Sequence, residues 1–147
     1  MNQLTPGGKV YQASTFAGNP ISVSAAISSV QTMNKIKNKM YPKLESFCLL
    51  LARAIDDIAN DLKIPHQINF TGSMFQIFFT NKPVVDYKTC KKSDSRKFQK
   101  MFNSLLKNGI FIAPSQFETV FLSNAHTKND LNVALNAYHK ALKTVKT

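Results

Sequence analysis

The sequence predicts an α+β domain in which a small, mostly antiparallel sheet is covered by helices. Three observations predict it. Long stretches with apolar residues at 3- and 4-residue steps alternate with short apolar runs bounded by turn residues. The short runs come in close pairs, which suits hairpins better than parallel crossovers. Finally, 147 residues with 44% hydrophobic and 18% charged side chains are enough for one ordinary domain and exclude a disordered or collagen-like chain.

Residues 1–18 read as irregular, with the breaker cluster Pro6-Gly7-Gly8 followed by the hydroxyl-rich VYQASTFAG. Asn19 then suits an N-cap and Pro20 a first helical position. The following ISVSAAISSVQTM spreads small and apolar residues over two faces, so this helix is expected to pack on both sides. The polar NKIKNK reads as a break, and a second helix is expected from about Tyr41 to Leu62. Its core stripe is Leu44, Phe47, Leu51, Ala54, Ile55, Ile58 and Leu62, and Asp56, Asp57 and Asp61 lie on its wet side.

Pro65 closes that helix. HQINF and MFQIFFT read as two strands around Thr71-Gly72-Ser73, and the poor alternation of the second predicts burial on both faces. Asn81-Lys82-Pro83 is a loop. A third helix spans about Ser93 to Lys107, capped by Ser93 or Asp94, stopped by Asn108-Gly109 and packed through Phe98, Phe102, Leu105 and Leu106. IFIA and TVFLS are two further strand-like segments around Pro114-Ser115-Gln116-Phe117-Glu118. Thr127 caps the last helix, whose apolar face includes Leu131, Leu135, Tyr138 and Leu142.

The charge of +11 raises the prior for a polyanionic partner. Yet 17 of the 19 cations are Lys, with Arg only at Arg53 and Arg96, and they fall in small groups beside helical patterning. Phosphate and base recognition favours the Arg fork, so solvated helix faces explain these lysines better than nucleic acid does. Thirteen Asn beside so many Lys fit the codon bias of an AT-rich genome. Cys48 and Cys90 lack metal-ligand spacing, which fits a reducing cytoplasmic setting, and no metal is expected. No apolar run approaches a membrane span, and the first residues do not read as an export signal.

Chemistry-bearing residues are sparse. His66, His126 and His139 form no metal or nucleophile pattern; His139 is expected to be exposed and His126 to bond locally. Cys48 reads as a buried inert thiol, while Cys90 reads as lying in a basic loop where a thiolate could be mildly activated. Ser14 and Thr15, just ahead of a helix N-terminus, read either as an anion seat or as a hydroxyl-rich turn. Glu118 stands in an acid-poor region between strand-like segments, where it could bind a cationic substrate group or simply be solvated.

YQASTFAGNP, TGSMFQIFFT, FIAPSQFET and AHTKNDL, in this order, resemble the C-terminal part of the glutamate-1-semialdehyde 2,1-aminomutase family, within the class III pyridoxal-phosphate aminotransferases. The likeness runs through essentially the whole chain. Gly18-Asn19-Pro20 and the preceding Thr15 are shared with class III transaminases at large. Tyr11-Gln12, the GSMFQIFFT strand and the APSQFE loop resemble the aminomutases specifically.

The resemblance implies the C-terminal domain of a fold-type-I pyridoxal-phosphate enzyme, preceded by a long helix that normally joins it to a large domain. Residues 1–18 would be a cofactor-contacting loop left over from a large domain, 19–62 connecting helices, and 63–147 the small α+β domain. It implies a cytoplasmic homodimer that isomerises glutamate-1-semialdehyde to 5-aminolevulinate for tetrapyrrole (porphyrin) synthesis. The pyridoxamine 5'-phosphate form would give its amine to the aldehyde carbon, and the other nitrogen would return to the cofactor. Thr15, with Ser14 beside it, would reach the cofactor phosphate of the other subunit, and Glu118 would hold the substrate's ammonium.

Ser14 replaces a usual glycine, Phe16-Ala17 a usual leucine-serine and Thr119 an alanine. None of the lysines has the glycine-rich setting of the family's Schiff-base lysine, so the chain is expected to be a fragment, inactive alone. A two-substrate class III transaminase and a basic nucleic-acid-binding module are the alternative readings.

Overall fold

The computed structural model describes residues 2–146, which divide into two compact units, 2–38 and 39–146. The elements are α1 (Pro20–Asp61), β1 (Gln67–Thr71), β2 (Met74–Phe78), α2 (Tyr87–Cys90), α3 (Ser95–Lys107), β3 (Val120–Phe121) and α4 (Lys128–Lys146).

The main correction is α1, one helix of 42 residues where a break is expected near NKIKNK. Lys and Asn are tolerable helix residues and no Gly interrupts them. Pro42 lies inside this helix and leaves the Asn38 carbonyl without its usual amide donor. The core stripe begins only around Pro42: Met40, Leu44, Cys48, Leu51, Ala52, Ile55 and Ala59 are buried at near-helical spacing. Residues 9–39 are all exposed, so the close packing expected on two faces of the ISVSAAISSVQTM stretch is absent among the described residues.

In unit 39–146 the sheet order is β1-β2-β3, all antiparallel. Thr71 pairs with Met74, so Gly72 and Ser73 form a two-residue turn, and Gly72 supplies the positive φ of +53° that it requires. β2 is central and buried from Phe75 to Phe78, as its poor alternation predicts. IFIA forms no strand: Ile112 is buried, but it enters the core from irregular chain. Of TVFLS only Val120–Phe121 pairs, with Phe75 and Met74.

Asp94, not Ser93, caps α3, accepting from the Arg96 and Lys97 amides at 2.9 and 3.0 Å. Thr127 caps α4 with reciprocal bonds: its hydroxyl accepts from the Asp130 amide at 3.3 Å, and Asp130 accepts the Thr127 amide at 2.8 Å. The short α2 is missing from the sequence reading. A capping box makes it, with the Thr89 amide donating to Asp86 Oδ1 at 2.7 Å and the Asp86 amide donating to Thr89 Oγ1 at 3.0 Å.

The core gathers Ile55 of α1, Phe75 and Ile77 of β2, Met101 and Leu105 of α3, and Tyr138 and Leu142 of α4. The Phe75 and Tyr138 rings meet at 6.3 Å. Each fully buried aliphatic or aromatic side chain contributes about 1.5–3 kcal/mol, so this cluster holds the Phe75–Ile77 face of β2. A smaller cluster of Phe78, Val84 and Cys90 packs α2 against the end of β2, beside Glu118's loop.

Candidate functional site

Two places carry the sequence-predicted site residues, one in each unit. In unit 2–38, Ser14 opens and Thr15 lies within a turn closed by the Ala17 amide donating to the Ser14 carbonyl at 3.0 Å, and the Asn19 amide donates to the Phe16 carbonyl at 3.1 Å. Ser14 Oγ accepts from the Phe16 amide at 3.3 Å. The expectation of unpaired helix amides behind these hydroxyls is corrected in part: Asn19 Oδ1 takes both the Ile21 and Ser22 amides at 3.1 Å. What remains available to an anion is the Thr15 hydroxyl, which makes no hydrogen bond among the described residues, and the proton of the Ser14 hydroxyl. Both residues are exposed, and residues 10–34 contain no Lys or Arg. Alone they offer an anion two hydroxyl protons and no positive charge, so a phosphate would need balancing groups from elsewhere.

In unit 39–146, Glu118 lines a cleft of about 580 Å³ between β2, α2 and the 116–119 segment. The cleft wall carries two carboxylates, Glu118 and Asp86, and no Lys or Arg. On a chain of net charge +11 this is a local reversal of sign. Asp86 is engaged: the Thr89 amide, together with its hydroxyl, holds that carboxyl below the usual aspartate range. The Glu118 carboxylate is exposed and has no hydrogen-bond or ion-pair partner among the described residues. Tyr87 and Phe117 both line the cleft and meet as a tilted ring pair with centroids 5.4 Å apart. A group with spare N–H protons and a positive charge is the ligand such a cleft favours.

Sequence reasoning missed what holds this cleft. Gln76 and Gln116 are buried at 6% and 5% exposure. Gln76 Nε2 donates to the Gln116 carbonyl at 3.0 Å, and Gln116 Nε2 donates to the Cys90 carbonyl at 3.2 Å. Gln76 could have been noticed as the one polar residue interrupting the apolar run MFQIFF. The reading of Cys90 is corrected: it ends α2, is buried, and burial raises its thiol above the ordinary value, the opposite of activation. Cys48 is buried with its thiol likewise raised. His139 is exposed, and His126 Nδ1 accepts the Ser123 amide at 2.9 Å. His66, given no role by the sequence, bonds Asp56 Oδ1 through Nε2 at 2.9 Å and pins the approach to β1 onto α1. No three metal-ligating side chains cluster among the described residues, and no described helix is long and apolar enough to cross a membrane.

No protein-family model matches the chain. Among solved structures, an ω-transaminase from Sphaerobacter thermophilus superposes with a TM-score of 0.75 at 20% identity, covering 96% of this chain and 32% of that one. A glutamate-1-semialdehyde aminomutase from Pseudomonas aeruginosa in complex with PMP gives 0.70 at 15% identity, over 95% of this chain and 31% of that one. The shared fold is that of part of a pyridoxal-phosphate transaminase subunit.

Sequence comparison narrows this class. The chain is 72% identical over 146 residues to the glutamate-1-semialdehyde 2,1-aminomutase of Nitrosopumilus maritimus, covering 99% of this chain. It is 41% identical over 143 residues to aminomutase 2 of Brevibacillus brevis. The chain spans 34% and 33% of the length of these two relatives.

Proposed function

We propose that this chain is the C-terminal third of a pyridoxal-phosphate-dependent aminomutase that isomerises glutamate-1-semialdehyde to 5-aminolevulinate in cytoplasmic tetrapyrrole synthesis. The observation that carries the reading is the 72% identity sustained over 99% of the chain to a protein of that name. The acidic cleft supports it independently, because the substrate carries an ammonium and Glu118 is a carboxylate without a partner among the described residues.

When bound, pyridoxal or pyridoxamine 5'-phosphate supplies reversible exchange of an amine with a carbonyl. The residues of this chain fit the cofactor at one edge: the Thr15 hydroxyl, with that of Ser14, would donate to its phosphate, and a second subunit of a homodimer would complete the seat. Glu118 accepts N–H bonds from the substrate ammonium and orients it. Charge-assisted bonds of this type are roughly twice as strong as neutral ones. The exposed Tyr11, Phe16 and Ile21, at 79%, 78% and 81% exposure, fit surfaces that the rest of the subunit or its partner covers.

The test uses the complete polypeptide that carries this sequence, loaded with cofactor and given glutamate-1-semialdehyde with no amino donor. Turnover without a donor supports the mutase, and strict donor dependence overturns it in favour of a two-substrate transaminase. Glu118→Gln should raise KM about tenfold, the loss of roughly 1.4 kcal/mol from one charge-assisted bond. The 147-residue chain alone should show no turnover.

A further inference from the structure

The Glu118 carboxylate has no partner of its own among the described residues, so its position is set through its backbone. That backbone is held from two directions. The Glu118 amide donates to the Ser115 carbonyl at 3.1 Å and the Phe117 amide to Ser115 Oγ at 3.2 Å, closing a tight turn. Among the described residues the turn's hydrogen bonds to neighbouring elements run through Gln116, whose carbonyl accepts from Gln76 Nε2 on β2 and, at 3.9 Å, from the Cys90 thiol, and whose side chain donates to the Cys90 carbonyl at the end of α2.

We propose that Gln76 and Gln116 are positioning residues for Glu118, forming a buried amide relay that fixes the loop to the strand on one side and the short helix on the other. The inference rests on the reading of Glu118 as the substrate-ammonium site.

The amide orientations follow from the chemistry. Gln116 and Cys90 present carbonyl oxygens, which only accept, so each glutamine must turn its NH₂ toward them. Gln76 Oε1 is thereby left buried without a partner among the described residues. A buried unpaired acceptor destabilises the fold, so Gln76 is poorly explained as a stability device. It is well explained as a donor kept for the loop. The relay also joins the two elements that frame the cleft, because Tyr87 of α2 stacks on Phe117 of the same loop.

The experiment is a double-variant cycle in the complete, cofactor-loaded protein, using Gln76→Leu, which removes the donor and the unpaired acceptor together. Gln76→Leu should raise KM for glutamate-1-semialdehyde about tenfold, with kcat within about twofold, as expected when binding is lost equally from ground and transition states. It should also leave the urea midpoint almost unchanged. In a Glu118→Gln background it should add no further loss, since the group it positions is already gone.

Multiplicative losses in the double variant, or an unchanged KM for Gln76→Leu, would overturn the relay while leaving Glu118 its role. An unchanged KM for Glu118→Gln would overturn the Glu118 reading itself. If Gln76→Leu does not fold, Gln76→Met is read by the same criteria. Gln116→Leu should reproduce the KM effect from the other end of the relay.

Discussion

Two helices of this protein end in the same hydrogen-bonded closure with different residues at its critical position, which permits a signed test. At the end of α3 the Gly109 amide donates to the Leu106 carbonyl at 3.1 Å and the Ile110 amide to the Leu105 carbonyl at 3.0 Å, with Gly109 at φ +81°. At the end of α1 the Lys63 amide donates to the Asn60 carbonyl at 2.8 Å and the Ile64 amide to the Ala59 carbonyl at 2.9 Å, with Lys63 at φ +56°. Lys63 therefore occupies a left-handed position that glycine fills in α3.

A side chain there costs about 1–2 kcal/mol. Glycine returns roughly 0.5–1 kcal/mol of that through its freer unfolded chain. Lys63→Gly should thus stabilise by about 0.5–1 kcal/mol, and Gly109→Ala should destabilise by about the same amount. A Cβ at Gly109 meets nothing within 4 Å, so its whole cost is backbone strain. Lys63→Ala, which keeps a Cβ, should be close to neutral and controls for the lost charge. With a urea slope of about 2 kcal/mol/M, the expected midpoint shifts are about 0.25–0.5 M in opposite directions. If Lys63→Gly lowers the midpoint below that of Lys63→Ala, the strain argument is refuted.

Burial separates two positions of α3. Met101→Ala, at a side chain with 0% exposure, should cost about 2–5 kcal/mol. Leu106→Ala, at 49% exposure, should cost well under half as much, and equal losses in urea unfolding would contradict the placement of the core. The two capping aspartates set an acid limb. Asp86 and Asp130 are held below the ordinary value of 3.8 chiefly by the Thr89 and Thr127 amides, respectively. A carboxylate lowered by folding contributes fully above its unfolded value and loses that contribution as pH falls through its folded value. Stability should therefore decline as pH drops from about 4 downward, and Asp86→Asn with Asp130→Asn should flatten that decline; parallel acid limbs in variant and parent would speak against it.

Most elements whose signals are local were legible in the residues themselves, the Asp86–Thr89 capping box of α2 being the exception. Asp94 and Asn108-Gly109 bound α3, Gly72 turns the hairpin, and Thr127 starts α4, because a cap or a positive φ is a matter of a few adjacent residues. The continuity of α1 was not legible, since a polar stretch and a proline look like a boundary whether or not the chain turns there. Nor was the state of Ile110–Ala113: an apolar run states that Ile112 must be buried but not whether a strand partner is present.

The same division applies to the site. The order of four motifs was enough to single out Thr15, Ser14 and Glu118 and to point to the aminomutases. It could not show that Gln76 reaches Gln116 across 40 residues, or that Gln116 reaches Cys90 across 26. Those partners are chosen when β2, α2 and the loop pack together and bury the amides away from water, leaving each a donor that must find a carbonyl. The sequence by itself determined most of the local elements and singled out Glu118 as the candidate acidic residue. Only the tertiary structure decided what surrounds that residue and what holds it in place.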